Sequence, residues 1–111
     1  DLSNSIKLLH NWCSSEDENV RRYVAEVLRP NGVWTKKVDA LHQNPELGLP
    51  LIEPLKSDTS KYVQNSIANW LNDASKSNPD WVRKICAKWL VESKTKETAY
   101  IVNRALRTID K

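Results

Sequence analysis

Val63-Gln64-Asn65-Ser66-Ile67-Ala68-Asn69-Trp70-Leu71 is the stretch on which the fold of this chain turns. Val63, Ile67, Trp70 and Leu71 fall at the i, i+4, i+7, i+8 spacing of one helical face, and Ala74 extends it. Asn65, Asn69 and Asn72 fall on another face at the same period. Asn is a mediocre helix former, so a row of three is not there for propensity. The same pattern recurs upstream as Val20-Arg21-Arg22-Tyr23-Val24-Ala25-Glu26-Val27-Leu28. It recurs downstream as Ile101-Val102-Asn103-Arg104-Ala105-Leu106-Arg107-Thr108-Ile109. The copies align without gaps.

The spacings between copies, 43 and 38 residues, lie near the roughly 40–47-residue period of HEAT-like repeats. Each copy follows another amphipathic segment. Helices are predicted over Ser5 to Cys13, Asn19 to Arg29, Trp34 to His42, Leu51 to Lys56, Ser60 to Lys76, Pro79 through Leu90, and Lys96 to Asp110. Pro30 stops the second, Pro54 kinks or shortens the fourth, and Pro79 suits a first helical turn, with Ser77 or Asn78 available as a cap. Two glycines and no sustained period-2 alternation argue against strands. The expected fold is all-α, a right-handed α-α superhelix of about three HEAT-like hairpins. One hairpin cannot bury its own apolar stripe, so about three are needed for stability.

The chain is 111 residues long and 40% hydrophobic, enough for a single domain over residues 1–111. The absence of an initiating Met and of polar end caps suggests part of a longer solenoid. No apolar run approaches membrane-spanning length, and no secretory signal pattern opens the chain. Cys13 and Cys86 fall in the apolar phase of helices, where small buried side chains are expected rather than a disulfide framework or zinc site. A cytoplasmic protein is the expectation. Seventeen basic and fourteen acidic residues leave a net charge of +3, which permits an anionic partner without requiring one. There are five Trp, three Tyr and no Phe, so one or two Trp could face a ligand.

The alignment stacks polar positions as well. Arg22, Asn65 and Asn103 are equivalent, as are Glu26, Asn69 and Arg107, and Arg29, Asn72 and Asp110. These rows form either a solvated face or one continuous polar strip that hydrogen-bonds a ligand. Arg21, Arg22, Arg29, Lys36, Lys37, Lys61, Lys76, Arg83, Lys84, Arg104 and Arg107 gather around it and could track a phosphate backbone.

The segment Val20-Arg21-Arg22 through Glu26, then Arg29-Pro30 and Trp34, resembles the signature of the AlkC branch of the AlkC/AlkD-like DNA alkylation-repair glycosylases. So do Leu51-Ile52-Glu53-Pro54-Leu55-Lys56-Ser57-Asp58, Ser60, Tyr62-Val63 and Ala68-Asn69-Trp70-Leu71-Asn72-Asp73. Lys76, Asn78-Pro79-Asp80, Trp89 and Ala105-Leu106-Arg107-Thr108 continue the likeness over nearly the whole chain. The chain departs from the family pattern at Ala25 and Val27 around Glu26, at Val33 before Trp34, and at Gln64-Asn65 where the family carries two Arg.

The resemblance implies a HEAT-like solenoid that binds duplex DNA on its concave face and removes cationic N-alkylated bases. Glu26 and Asp73 would be the catalytic carboxylates, and Trp34 and Asn69 would contact substrate. Arg22, Arg29, Asn65, Lys76, Arg104 and Arg107 would bind DNA. No metal or other cofactor is implied, and a monomer is expected. Each site residue also has a structural reading. Glu26 could pair with Arg22 or Arg29, Asp73 could be an exposed late-helix acid, Trp34 could pack under the Pro30 loop, and Trp70 belongs with the core. The alternative from another class is a non-catalytic HEAT-repeat scaffold for DNA or protein partners.

Overall fold

The computed structural model describes residues 2–30 and 36–110. Every regular element among them is helical. Helix α1 (Leu2–His10) runs into a 3-10 turn (Asn11–Ser14), and α2 covers Glu18–Val27. Helix α3 (Lys36–Gln43) is followed by a 3-10 turn (Pro45–Gly48), the single helical turn α4 (Leu49–Ile52) and another 3-10 turn (Glu53–Leu55). Helices α5 (Lys61–Ser75), α6 (Pro79–Glu92) and α7 (Lys96–Ala105) complete the chain.

The three aligned segments become α2, α5 and α7, which pack side by side with α5 in the middle. Helix α1 packs on α4, and α6 packs on α5 and α7, forming the second layer. The stripe named from the sequence is the core. Val24, Val63, Ile67, Leu71, Ala74 and Ile101 have no exposed surface, and Trp70 is only 1% exposed. Each large aliphatic side chain buried this way contributes roughly 1.5–3 kcal/mol. Trp89 is also buried, and its indole N–H donates to Glu53 Oε2 at 3.2 Å, so its one polar atom is satisfied.

Local chemistry sets the helix ends. Asp17 caps α2 by accepting from the Asn19 amide at 2.9 Å, and Ser60, its repeat equivalent, accepts from the Val63 amide at 3.4 Å. Thr95 caps α7 by accepting from the Thr98 amide at 3.1 Å. Helix α7 ends at Ala105, short of the predicted Asp110. The Asn72 side chain reaches from α5 to donate to the Ala105 carbonyl at 3.1 Å and to Thr108 Oγ1 at 2.9 Å. A neighbour's amide thus satisfies one of the carbonyls that continued helix would have used. Asn78 precedes α6 but makes no side-chain cap; its amide nitrogen instead donates to the His42 carbonyl at 2.8 Å. Pro45, Pro50 and Pro54 each stand at the start of a new short turn, so the predicted Leu51 to Lys56 helix is divided. Gly48 lies directly under the Trp70 indole, which leaves no room there for a Cβ.

Cys13 and Cys86 are both buried free thiols. Burial pushes the Cys86 thiol up to about 12 from an ordinary value of 9.0, with the nearby Asp110 charge adding to the effect. In the unfolded chain the thiol ionises at its ordinary value. This thiol therefore contributes stability that is intact below about pH 9 and lost progressively toward pH 12. Cys86→Ala should flatten that alkaline decline in urea denaturation midpoints. A decline identical in the variant would show that Cys86 does not drive it. Among the described residues no helix is long and apolar enough to cross a membrane.

Candidate functional site

Helix α2 ends where Pro30 removes the next backbone donor, and this places Glu26 on its last turn with Arg29 just beyond. Asp73 stands opposite, in the last turn of α5. An acid there opposes the helix dipole, and the side chain is only 7% exposed, so it requires compensation. Arg29 supplies it. The guanidinium Nε donates to Asp73 Oδ2 at 2.7 Å, and the same group donates from Nη1 to Glu26 Oε1 at 3.2 Å. Lys76 Nζ stands 3.9 Å from the other Asp73 oxygen.

The two carboxylates expected from the sequence are therefore joined by one arginine across two repeats. The hydrogen bond it donates to Asp73 holds the Arg29 guanidinium above its ordinary value, against the opposing effect of burial, with the Asp73 and Glu26 charges and the bond to Glu26 adding to it. Asp73 is the buried partner, whereas the Glu26 side chain is 27% exposed. Glu26 Oε2 takes no hydrogen bond from the described residues. With Arg29 seated between the two acids, the oxygens it leaves over are Asp73 Oδ1 and Glu26 Oε2, and the second can accept from a water.

The rest of the strip is stitched from helix to helix. Asn69 Oδ1 accepts from Arg107 at 3.0 Å, and Arg107 also donates to the Arg104 carbonyl at 2.7 Å. Asn65 Oδ1 accepts from the Tyr100 hydroxyl at 2.7 Å. Arg22 lies over the Tyr62 ring at 4.4 Å, and Arg104 lies 5.8 Å from the Tyr100 ring. The row of Arg29, Asn72 and Asp110 does not continue the surface. Asn72 is buried, and Asp110 pairs with Arg83 of α6 at 3.1 Å. Arg21 is also engaged, making two bonds to Asp58 at 2.8 and 3.2 Å.

Trp34, expected to contact substrate, lies outside the described residues. Trp70 is core, as its phase on the apolar stripe requires. A groove of about 930 Å³, lined by Leu2, Ile6, His10, Leu47 and Pro50 among others, shares no residue with the carboxylate cluster. The sequence placed Lys61 among the cations around the strip but did not single out the tyrosines beside it. Lys61 stands over the Tyr100 ring at 3.6 Å, and Tyr62 and Tyr100 hold equivalent repeat positions 38 residues apart. That spacing was visible in the alignment, but Tyr at a helix start reads as surface.

Comparison with known proteins bears on the same surface. The chain is 38% identical over 109 residues to the "Uncharacterized protein YhaZ" of Bacillus subtilis (strain 168), covering 98% of this chain and 30% of that one. The fold matches that of Pseudomonas fluorescens alkylpurine DNA glycosylase AlkC bound to DNA containing an abasic site analog. That match has a TM-score of 0.85 and 34% identity, and it covers 96% of this chain and 29% of AlkC. The chain thus spans about 30% of the length of these relatives. The model of the family described as "DNA alkylation repair enzyme" matches residues 2–109. With that match running over all three hairpins, the chain belongs to the DNA alkylation repair enzyme family.

Proposed function

We propose that this chain is the carboxylate-bearing part of a DNA glycosylase that excises cationic N-alkylated bases from duplex DNA. The observation that carries the reading is the Glu26–Arg29–Asp73 cluster, in which two carboxylates from adjacent repeats meet at one guanidinium. The solved relative that is similar over the same span was captured on DNA containing an abasic site analog, the kind of product such excision leaves.

A cationic alkylated base needs no proton to leave. The C1′–N bond breaks, its electron pair neutralises the base, and positive charge develops on the sugar as an oxocarbenium-like centre. Asp73 is held anionic by Arg29 at Oδ2, and its other oxygen, Oδ1, stabilises that charge in the partly desolvated groove. Glu26, with its freer oxygen, orients a water and takes its proton as the new C1′–O bond forms. Trp34 and Asn69 contact the lesion, the tryptophan by cation–π attraction worth about 0.5–2 kcal/mol. The protein acts as a cytoplasmic monomer, and no metal or other cofactor enters this scheme.

The test is release of methylated purine from alkylated duplex DNA by the full-length protein. Release that stops when both Glu26 and Asp73 are replaced by their amides supports the reading. Release that continues unchanged in the double variant would remove these two residues from the chemistry.

A further inference from the structure

The three asparagines in the polar row of α5 differ in which side of the amide is engaged. An asparagine carries two N–H donors on one side and an acceptor oxygen on the other, so its partner decides which way round it sits. Asn72 faces the Ala105 carbonyl, which can only accept, and its nitrogen is therefore turned to α7. Asn65 faces the Tyr100 hydroxyl, which can donate or accept, so that contact fixes nothing. Asn69 faces Arg107, and a guanidinium can only donate. Its Oδ1 is thus held on Arg107 at 3.0 Å, and its N–H groups are turned the other way. Among the described residues those N–H groups have no partner.

The end of α7 sets Arg107 in place. Asn72 takes the Ala105 carbonyl and Thr108 Oγ1, the helix stops, and Arg107 stands in the turn that follows. From there Nη1 donates to the Arg104 carbonyl at 2.7 Å and Nη2 donates to Asn69. The family resemblance groups Arg107 with the cations that bind DNA, yet both outer nitrogens of its guanidinium are engaged within the protein. Asn69 is half-buried and stands one turn before Asp73 on α5. Side chains at that spacing are neighbours, with Cβ atoms about 5–6 Å apart.

We propose that Arg107 is a positioning residue, which turns the Asn69 amide so that its N–H groups face the lesion and donate to a lone pair of the alkylated base as that base leaves. This role rests on the glycosylase reading above and deepens it by naming the base, rather than the DNA backbone, as the acceptor. While the base is cationic its ring nitrogens and exocyclic oxygens are poor acceptors. As the C1′–N bond breaks, the electron pair moves onto the base, the positive charge moves to the sugar, and those acceptors strengthen. A donor aimed at them binds the transition state better than the ground state, which is the condition for speeding the step. No proton is transferred, so Asn69 keeps its hydrogens and the base departs neutral. A lysine or arginine in place of Asn69 would repel the cationic base before the bond broke. A neutral amide donates without that repulsion.

Asn69→Asp in the full-length protein tests the donor. The carboxylate is nearly isosteric, keeps an oxygen for Arg107 and loses both N–H groups. Its ion pair with Arg107 offsets its repulsion from Asp73 one turn on, so the urea midpoint should stay near wild type. Single-turnover release of methylated base at saturating protein should fall about fivefold, the worth of one ordinary hydrogen bond. The added negative charge favours the sugar cation, so a fall reports the lost donor and not the charge. Arg107→Gln should lower the same rate about twofold, because glutamine offers donors and an acceptor and no longer fixes the amide. In the Asn69→Asp background it should lower the rate no further, since a carboxylate has no orientation to lose. A wild-type rate in Asn69→Asp overturns the donor. So does a rise in the half-saturating protein concentration with the saturated rate unchanged, which would put the contact on the backbone. An undiminished twofold fall from Arg107→Gln in the Asn69→Asp background overturns the positioning role. Absence of release by the wild-type protein overturns the glycosylase reading itself.

Discussion

Glu26→Gln in the full-length protein should slow single-turnover base release by about 100-fold, near the lower end of what a positioned general base contributes. The lower end is the right one because a cationic base leaves without being protonated, so Glu26 assists only the water. The amide is nearly isosteric, and its oxygen can still accept from Arg29, so the 3.2 Å contact and the fold should survive. What is lost is the negative charge and the ability to take a proton. Duplex affinity should therefore change little while the chemical step falls. The pattern to look for is a reduced kcat with KM nearly constant. Unchanged kcat would leave Glu26 as no more than a helical partner of Arg29.

The largest stability effect should come from Arg29→Ala. Removing one partner of a buried ion pair leaves the other as an uncompensated charge, at a cost of about 3–5 kcal/mol. Arg29 is partly wet, with 32% of its side chain exposed, so about 3 kcal/mol is the better expectation. That is a large fraction of the roughly 5–15 kcal/mol that holds a domain together. Lys76, at 3.9 Å from Asp73, is too distant and too exposed to replace the 2.7 Å bond. Adding Asp73→Asn to the Arg29 variant should restore part of the loss, because the stranded charge is gone. Urea denaturation of the single and double variants measures the coupling directly. Purely additive losses would show that Asp73 does not depend on Arg29.

Both predictions concern residues that the sequence marked but did not join. Glu26 and Asp73 stand 47 residues apart, and no local pattern shows that one guanidinium bridges them. The alternatives for Glu26 included Arg29 as a helical partner, and that contact exists. The exposed late-helix reading of Asp73 does not survive, because Arg29 makes its burial tolerable. The polar strip shows a similar limit. Its members were recognisable from the alignment, but Asn65 and Asn72 bond across to α7, and Asn69 bonds to Arg107 in the turn just after it. Donors and acceptors can be assigned to a face from sequence; whether they meet a ligand or one another depends on how closely the helices stack.

The helical stack, its repeat period and its core stripe were determined by the sequence alone. Periodicity is a local property, and burying Val63, Ile67, Trp70 and Leu71 satisfies it in only one way. The family likeness was legible for the same reason, being carried by residues in chain order. Three features belonged to tertiary structure: the Arg29 bridge, the end of α7 at Ala105 under Asn72, and the seating of Arg22 and Lys61 on tyrosines of the next repeat. Each is a contact between repeats some 40 residues apart, set by interhelical spacing and side-chain reach. Those quantities exist only once the apolar stripes have packed.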